Sequence, residues 1–152
     1  MTGYTENRII IHRDFDHVYD LTNQIDKWPQ LFTEYQSSEI IEQKDNEILF
    51  RLTTFASEDR PARTWVSKRI LDKKNCIATA ERLDPLFPFA RMNIRWEYEK
   101  LPSDKSVVMT WIQDFDVHPD CQFSVVQMES FLNKNTHAQL RAVKKAVEAW
   151  RV

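Results

Sequence analysis

After Pro119 the hydrophobic period changes from two residues to about 3.6 and stays there to the end of the chain. Leu132, Thr136, Leu140, Val143, Val147 and Trp150 step by four, four, three, four and three, while Arg141, Lys144, Lys145, Glu148 and Arg151 take the opposite side. That pattern predicts one long amphipathic helix, whose single apolar stripe must be buried against something. Almost everything before it alternates with period two. Strands are predicted over 8–12, 38–43, 47–55, from Trp65 to about Ile70, 76–82, 92–98 and 107–115. Turns are read at Lys44-Asp45-Asn46, Asp72-Lys73-Lys74-Asn75 and Pro102-Ser103-Asp104-Lys105. Between the first two strands, Asp14 offers an N-cap to a helix with Phe15, Val18, Tyr19, Thr22 and Ile25 at helical spacing. A second short helix is predicted from about Lys27, with Trp28, Phe32 and Tyr35 at i, i+4 and i+7 on one face. The fold class that follows is α+β: a curved seven-stranded antiparallel sheet wrapped around a long C-terminal helix, with two short helices after strand 1 and a tunnel where side chains of sheet and helix do not meet.

The 152 residues fit a single domain over 1–152, with no internal repeat. A net charge of -2 gives no polyanion-binding surface, so no nucleic-acid partner is expected. No apolar run is long enough to span a bilayer, and Met1 to Arg8 lacks the apolar region of a signal peptide, which predicts a cytoplasmic protein without a membrane partner. One glycine in the whole chain excludes Gly-rich phosphate loops. Cys76 and Cys121 read as ordinary thiols, and Asp114, Asp116, His118 and Asp120 as a solvated strand end, so no metal is expected.

Candidate chemistry starts at Trp65-Val66-Ser67-Lys68-Arg69. In a strand Trp65, Ser67 and Arg69 share a face, and two readings stand: an edge strand with a solvated arginine, or an aromatic wall, a hydroxyl and a cation lining a wet cavity. Met92, Ile94, Trp96 and Tyr98 form one inward set, and Val107, Met109, Trp111, Gln113 and Phe115 another. Gln113 is the polar exception, either a strand end near water or a ligand contact. The apolar loop 84–90 is either a lid or a docked loop. Phe123, Gln127, Phe131, Asn135 and Gln139 form a mixed stripe that suits either a cavity or a solvated helix flank.

The segments Asp20-Leu21-Thr22-Asn23, Ile25 to Tyr35 with its WPxLFxEY pattern, WVSxR at Trp65–Arg69, Met92-Asn93-Ile94-Arg95-Trp96 and Trp111 to Asp116 resemble the aromatase/cyclases of type II polyketide synthases, those of the tetracenomycin type in particular. The likeness runs from about Asn7 to about Val147. It implies the helix-grip fold of the START and Bet v 1 superfamily, and regiospecific aldol cyclisation and dehydration of a poly-β-ketone. The implied partners are an acyl carrier protein bearing that substrate and the other type II synthase components; no cofactor is implied. By matching position, Arg69 and Tyr35 would be catalytic. Trp28, Trp65 and Trp96 would be walls, Ser67 and Gln113 hydrogen-bonding contacts, and Phe32, Met92 and Gln139 further substrate contacts. The pattern departs at Arg63, where tryptophan is expected, and at Gln139, where asparagine is expected. Arg stays charged at neutral pH and suits a carbonyl becoming an oxyanion. If the Tyr35 hydroxyl is near Arg69, the cation favours phenolate and a proton can pass. Arg60, Arg63 and Lys68 are the candidate cations for docking the carrier protein. The alternative from another class is a non-catalytic carrier of a lipid or quinone in the same fold.

Overall fold

The computed structural model describes residues 2–103 and 105–151. Met1, Val152 and the Asp104 of the turn read at 102–105 lie outside the described residues. Seven antiparallel strands form one open sheet: β1 (Thr2–Ile11), β2 (Tyr35–Lys44), β3 (Glu47–Thr54), β4 (Thr64–Asp72), β5 (Ile77–Asp84), β6 (Phe89–Lys100) and β7 (Val107–Val117). Their spatial order is β1-β7-β6-β5-β4-β3-β2, so strands adjacent in sequence are hairpin neighbours from β2 to β7. β1 instead closes on β7, and α1 (Phe15–Thr22) with α2 (Trp28–Leu31) carries the chain from one edge of the sheet to the other. Register shifts at Tyr35/Ser37, Ile40/Glu42, Val66/Ser67 and Phe89/Arg91 bend the strands.

The 25-residue α3 (Val125–Ala149) starts from a capping box between Ser124 and Gln127 and runs against β1, β7, α1 and α2. Thr136, Leu140, Val143 and Val147 are fully or almost fully buried, as the stripe requires. Each of the three aliphatic side chains contributes roughly 1.5–3 kcal/mol on burial. Trp150 stands just past the helix as its C-cap. Among the described residues, no helix is long and apolar enough to cross a membrane.

Three differences from the sequence reading bear on the site. β1 begins at Thr2 instead of Arg8, because its polar first half pairs with β7 as far as Asp116 and Gly3 faces Phe115. A Cβ at Gly3 would stand 2.3 Å from that ring, so the one glycine serves close packing of an aromatic on a strand. The second helix ends at Leu31, since Phe32 is already extended. Trp28 and Tyr35 therefore meet from a helix and a strand, not along one helix face. At the start of the mixed stripe, Phe123 precedes the helix and packs edge-on against the half-exposed Phe131, 5.0 Å between ring centres.

Candidate active site

Alternation along β4 turns Trp65, Ser67 and Arg69 inward, and Arg69 is 1 % exposed. The solvated-edge reading is thereby excluded. On the next strand, β5, the inward residues beside it are Ala78 and Ala80, with Ala80 directly opposite Arg69. Those short side chains let the guanidinium pass over β5 to β6, where its carbon lies 3.9 Å from the centre of the Trp96 ring and 5.4 Å from that of Trp28. Its Nε donates to Asn23 Oδ1 at 2.9 Å. Asn23 caps the C-terminal end of α1 and donates Nδ2 to Tyr19 O at 2.8 Å and to the Tyr98 hydroxyl at 3.1 Å. Tyr98 also bonds Thr22 Oγ1 at 2.8 Å.

No carboxylate pairs with Arg69 among the described residues. Its Nη2 has no partner. Burial pushes the guanidinium down to about 10, against the pull of the Tyr98, Tyr19 and Tyr35 oxygens, so it remains charged at neutral pH. A cation this buried is ordinarily paired. Here the aromatic faces and one amide oxygen are what hold it.

Aromatic rings meet closely around Arg69. Trp28 lies 5.7 Å from Trp96 and 5.1 Å from Phe32, and Phe32 lies 5.9 Å from Trp111. Arg69, Trp96 and Phe50 are each 1 % exposed, so no water-sized space adjoins these three side chains. Large rings attached to facing elements gain dispersion by meeting across an empty interior. Open grooves lie elsewhere. One, of about 420 Å³, is on the outer face beside Lys68, Asn93 and Ile112. Another, of about 500 Å³, runs between α2 and α3 from Pro29 and Phe32 to Ala142 and Ala149.

Tyr35 stacks on Trp28, with ring centres 5.9 Å apart and planes at 19°, and Trp65 stands edge-on to it at 6.3 Å. Burial first, and the neighbouring Glu34 carboxylate next, raise the Tyr35 hydroxyl well above its ordinary value, and Arg69 and Arg63 pull it down less. The pull of a nearby cation toward phenolate is outweighed by burial and Glu34, so Tyr35 keeps its proton at neutral pH and is a donor. Glu34 accepts from Asn135 Nδ2 at 3.1 Å and is itself raised, chiefly by burial. Half-buried Trp65 lies under the Arg82 guanidinium at 4.5 Å and that of exposed Arg63 at 5.8 Å. Arg82 donates to the carbonyls of Pro85 (2.8 Å) and Phe87 (3.1 Å), which docks the 84–90 loop, and burial with Arg63 nearby pushes it down to about 10.

Other expected contacts are divided. Ser67 is buried between Phe50 and Arg82 in register. Gln113 is inward, but its Oε1 accepts from Thr5 (2.8 Å) and Thr136 (3.0 Å). Gln139 is turned to Thr33, accepting from its backbone N–H (2.9 Å) and donating to its hydroxyl (2.8 Å), so its amide is engaged by protein. Met92 belongs to a second apolar cluster with Phe89, Phe115 and Met128. Lys68 sits on the outer face near Glu47 (3.8 Å), away from Trp65 and Arg69, because strand alternation puts it there. Arg91 takes both Asp114 (2.6 Å) and Asp116 (3.0 Å).

Asn23, Tyr98, Glu34, Arg82 and Trp111 also build the site, without having been picked out from sequence as site residues. The inward sets on β6 and β7 contained Tyr98 and Trp111, but nothing in the pattern separated them from core. Asn23 carried only the weak signal of an amide at a helix end.

A family model described as polyketide cyclase / dehydrase and lipid transport matches residues 11–144. A proposed polyketide cyclase from Streptomyces cyaneus is 37% identical over 148 residues, spanning 97% of this chain and 95% of that protein. The Zhui aromatase/cyclase from Streptomyces sp. R1128 superposes with a TM-score of 0.85 at 18% identity, over 97% of this chain and 94% of that one. A START superfamily protein from Mycobacterium smegmatis superposes with a TM-score of 0.70 at 12% identity, over 95% and 94% of the two chains. These two superpositions show the helix-grip fold.

Proposed function

The chain belongs to the polyketide cyclase / dehydrase and lipid transport family, and from that premise we propose that it directs aldol closure and dehydration of the first ring of a poly-β-ketone carried by an acyl carrier protein. The observation that carries this reading is Arg69: a guanidinium with no carboxylate partner and a free Nη2, enclosed by aromatic rings.

Aldol closure joins an enolate carbon to a ketone carbon, and the ketone oxygen becomes an alkoxide. Arg69 holds that oxygen as its charge develops, which in a dry site acts far more strongly than in water. The methylene between two ketones gives up its proton to solvent to form the enolate, and Tyr35, protonated, supplies the proton that turns alkoxide into alcohol and is reprotonated from solvent. Loss of that hydroxyl with a proton from the adjacent ring carbon, as water, and enolisation of the remaining ring ketones make the ring aromatic, with no net redox change and so no redox cofactor required. Trp28, Phe32, Trp65 and Trp96 hold the chain folded, and Ser67 and Gln113 meet its oxygens. Met92 and Gln139 shape the site from behind its walls.

Because the walls touch, entry requires Trp28 and Phe32 to move with the 32–35 segment. Arg63 and Arg82, flanking Trp65, present the positive charge that a carrier protein's acidic surface would meet. This role places the protein in the cytoplasm with the other type II synthase components. The alternative, a lipid or quinone carrier, is disfavoured by a charged, unpaired group at the centre of the interior. The test is a minimal synthase supplied with and without the protein: a new cyclised aromatic product is expected, and an unchanged set of spontaneous shunt products overturns the reading.

A further inference from the structure

Among the described residues, three buried side-chain N–H groups have no acceptor: Nη2 of Arg69 and the indole Nε1 of Trp96 and of Trp111. They belong to one chain of contacts. Arg69 lies over Trp96, and Trp96 stands directly opposite Trp111 across β6 and β7, with ring centres 5.4 Å apart. The three residues are 1 %, 1 % and 5 % exposed. A buried indole normally finds a partner, and Trp28 in the same cluster does, donating to Thr22 O at 3.0 Å. Phenylalanine at 96 or 111 would fill much of the same space without an orphaned donor, so packing alone does not account for two adjacent unpaired indoles.

We infer that Trp96 and Trp111 are the hydrogen-bond donors of a deep oxygen-binding subsite shared with Arg69. The inner end of the guest therefore carries at least two oxygen acceptors, as a β-dicarbonyl or a hydroxylated ring does. A hydrocarbon end leaves all three donors unpaired, and a site built to hydrogen-bond oxygen rejects the analogue that lacks it. This rests on the interior being the guest site, as proposed above, and adds what the guest's buried end must be.

The test uses the full chain with ¹⁵N-labelled tryptophan and two guests of one shape, 1,3-dihydroxynaphthalene and naphthalene. The dihydroxy compound is expected to move the Trp96 and Trp111 indole N–H resonances downfield, and naphthalene to leave them in place. Naphthalene is expected to bind more weakly than the dihydroxy compound; Trp96→Phe and Trp111→Phe, which also assign the resonances, are each expected to weaken the dihydroxy compound about tenfold and to leave the weaker binding of naphthalene unchanged. Equal shifts with both guests, equal losses in the variants, or failure of the dihydroxy compound to bind overturns the subsite. The wild-type contrast stands even if a variant does not fold. Moved indoles with an unchanged synthase product set would keep the subsite and remove the cyclase; a changed product set with unmoved indoles would do the reverse.

Discussion

The guanidinium carbon of Arg69 lies 3.9 Å from the centre of the Trp96 ring although one residue is on β4 and the other on β6. The intervening strand makes this possible by presenting Ala80 opposite Arg69 and Ala78 opposite Trp96. The consequence is a cation held by π-faces instead of by a carboxylate, and so available to a guest.

Arg69→Met keeps an unbranched, flexible side chain, shorter than arginine, and removes the charge. Cyclisation should fall by the roughly 3 kcal/mol typical of losing an oxyanion donor. The melting temperature should hold or rise, because an unpaired buried charge is lost at the expense of one hydrogen bond to Asn23. Product analysis beside thermal unfolding checks both halves, and a collapsed fold would mean that the arginine is structural.

Asn23→Asp places a carboxylate 2.9 Å from the Arg69 Nε with no change of shape. The guanidinium then has a partner of its own and holds a substrate oxyanion less well. Lower cyclisation in a folded protein is expected from Asn23→Asp, and an activity equal to wild type would show that the free charge of Arg69 is not what matters.

Glu34 is raised by burial, so its folded form binds a proton more tightly than the unfolded chain does. Its ionised form therefore subtracts stability above the folded pKa, and the loss disappears as pH falls toward the unfolded value of about 4.3. Glu34→Gln keeps the acceptor for Asn135. Melting curves should show a gain in stability at about pH 7–8 that shrinks toward about pH 4; a gain independent of pH would contradict the assignment.

Gln139→Ala severs both bonds to Thr33. Each is worth about 1 kcal/mol net, so a loss of roughly 2 kcal/mol in unfolding free energy is expected. Hydrogen exchange at the Thr33 amide and the rate of guest entry should rise together, since this clamp holds the segment bearing Phe32 against α3. Faster exchange without faster entry would place the route elsewhere.

Periodicity by itself determined the element types, the antiparallel sheet and the helix that covers it, because alternation and the 3.6-residue stripe are local consequences of which side chains must leave water. It also put Trp65, Ser67 and Arg69 on one face and Lys68 on the other. Whether that face looked inward or to solvent was not local information: it depends on β3 and β5 flanking β4 and on the alanines opposite Arg69 and Trp96. The raised proton affinities of Tyr35 and Glu34, the use of Gln139 as a clamp and the meeting of Asn23 with Arg69 depend on elements far apart in the chain. Burial and pairing are sums over all neighbours, so only the assembled tertiary structure could decide them.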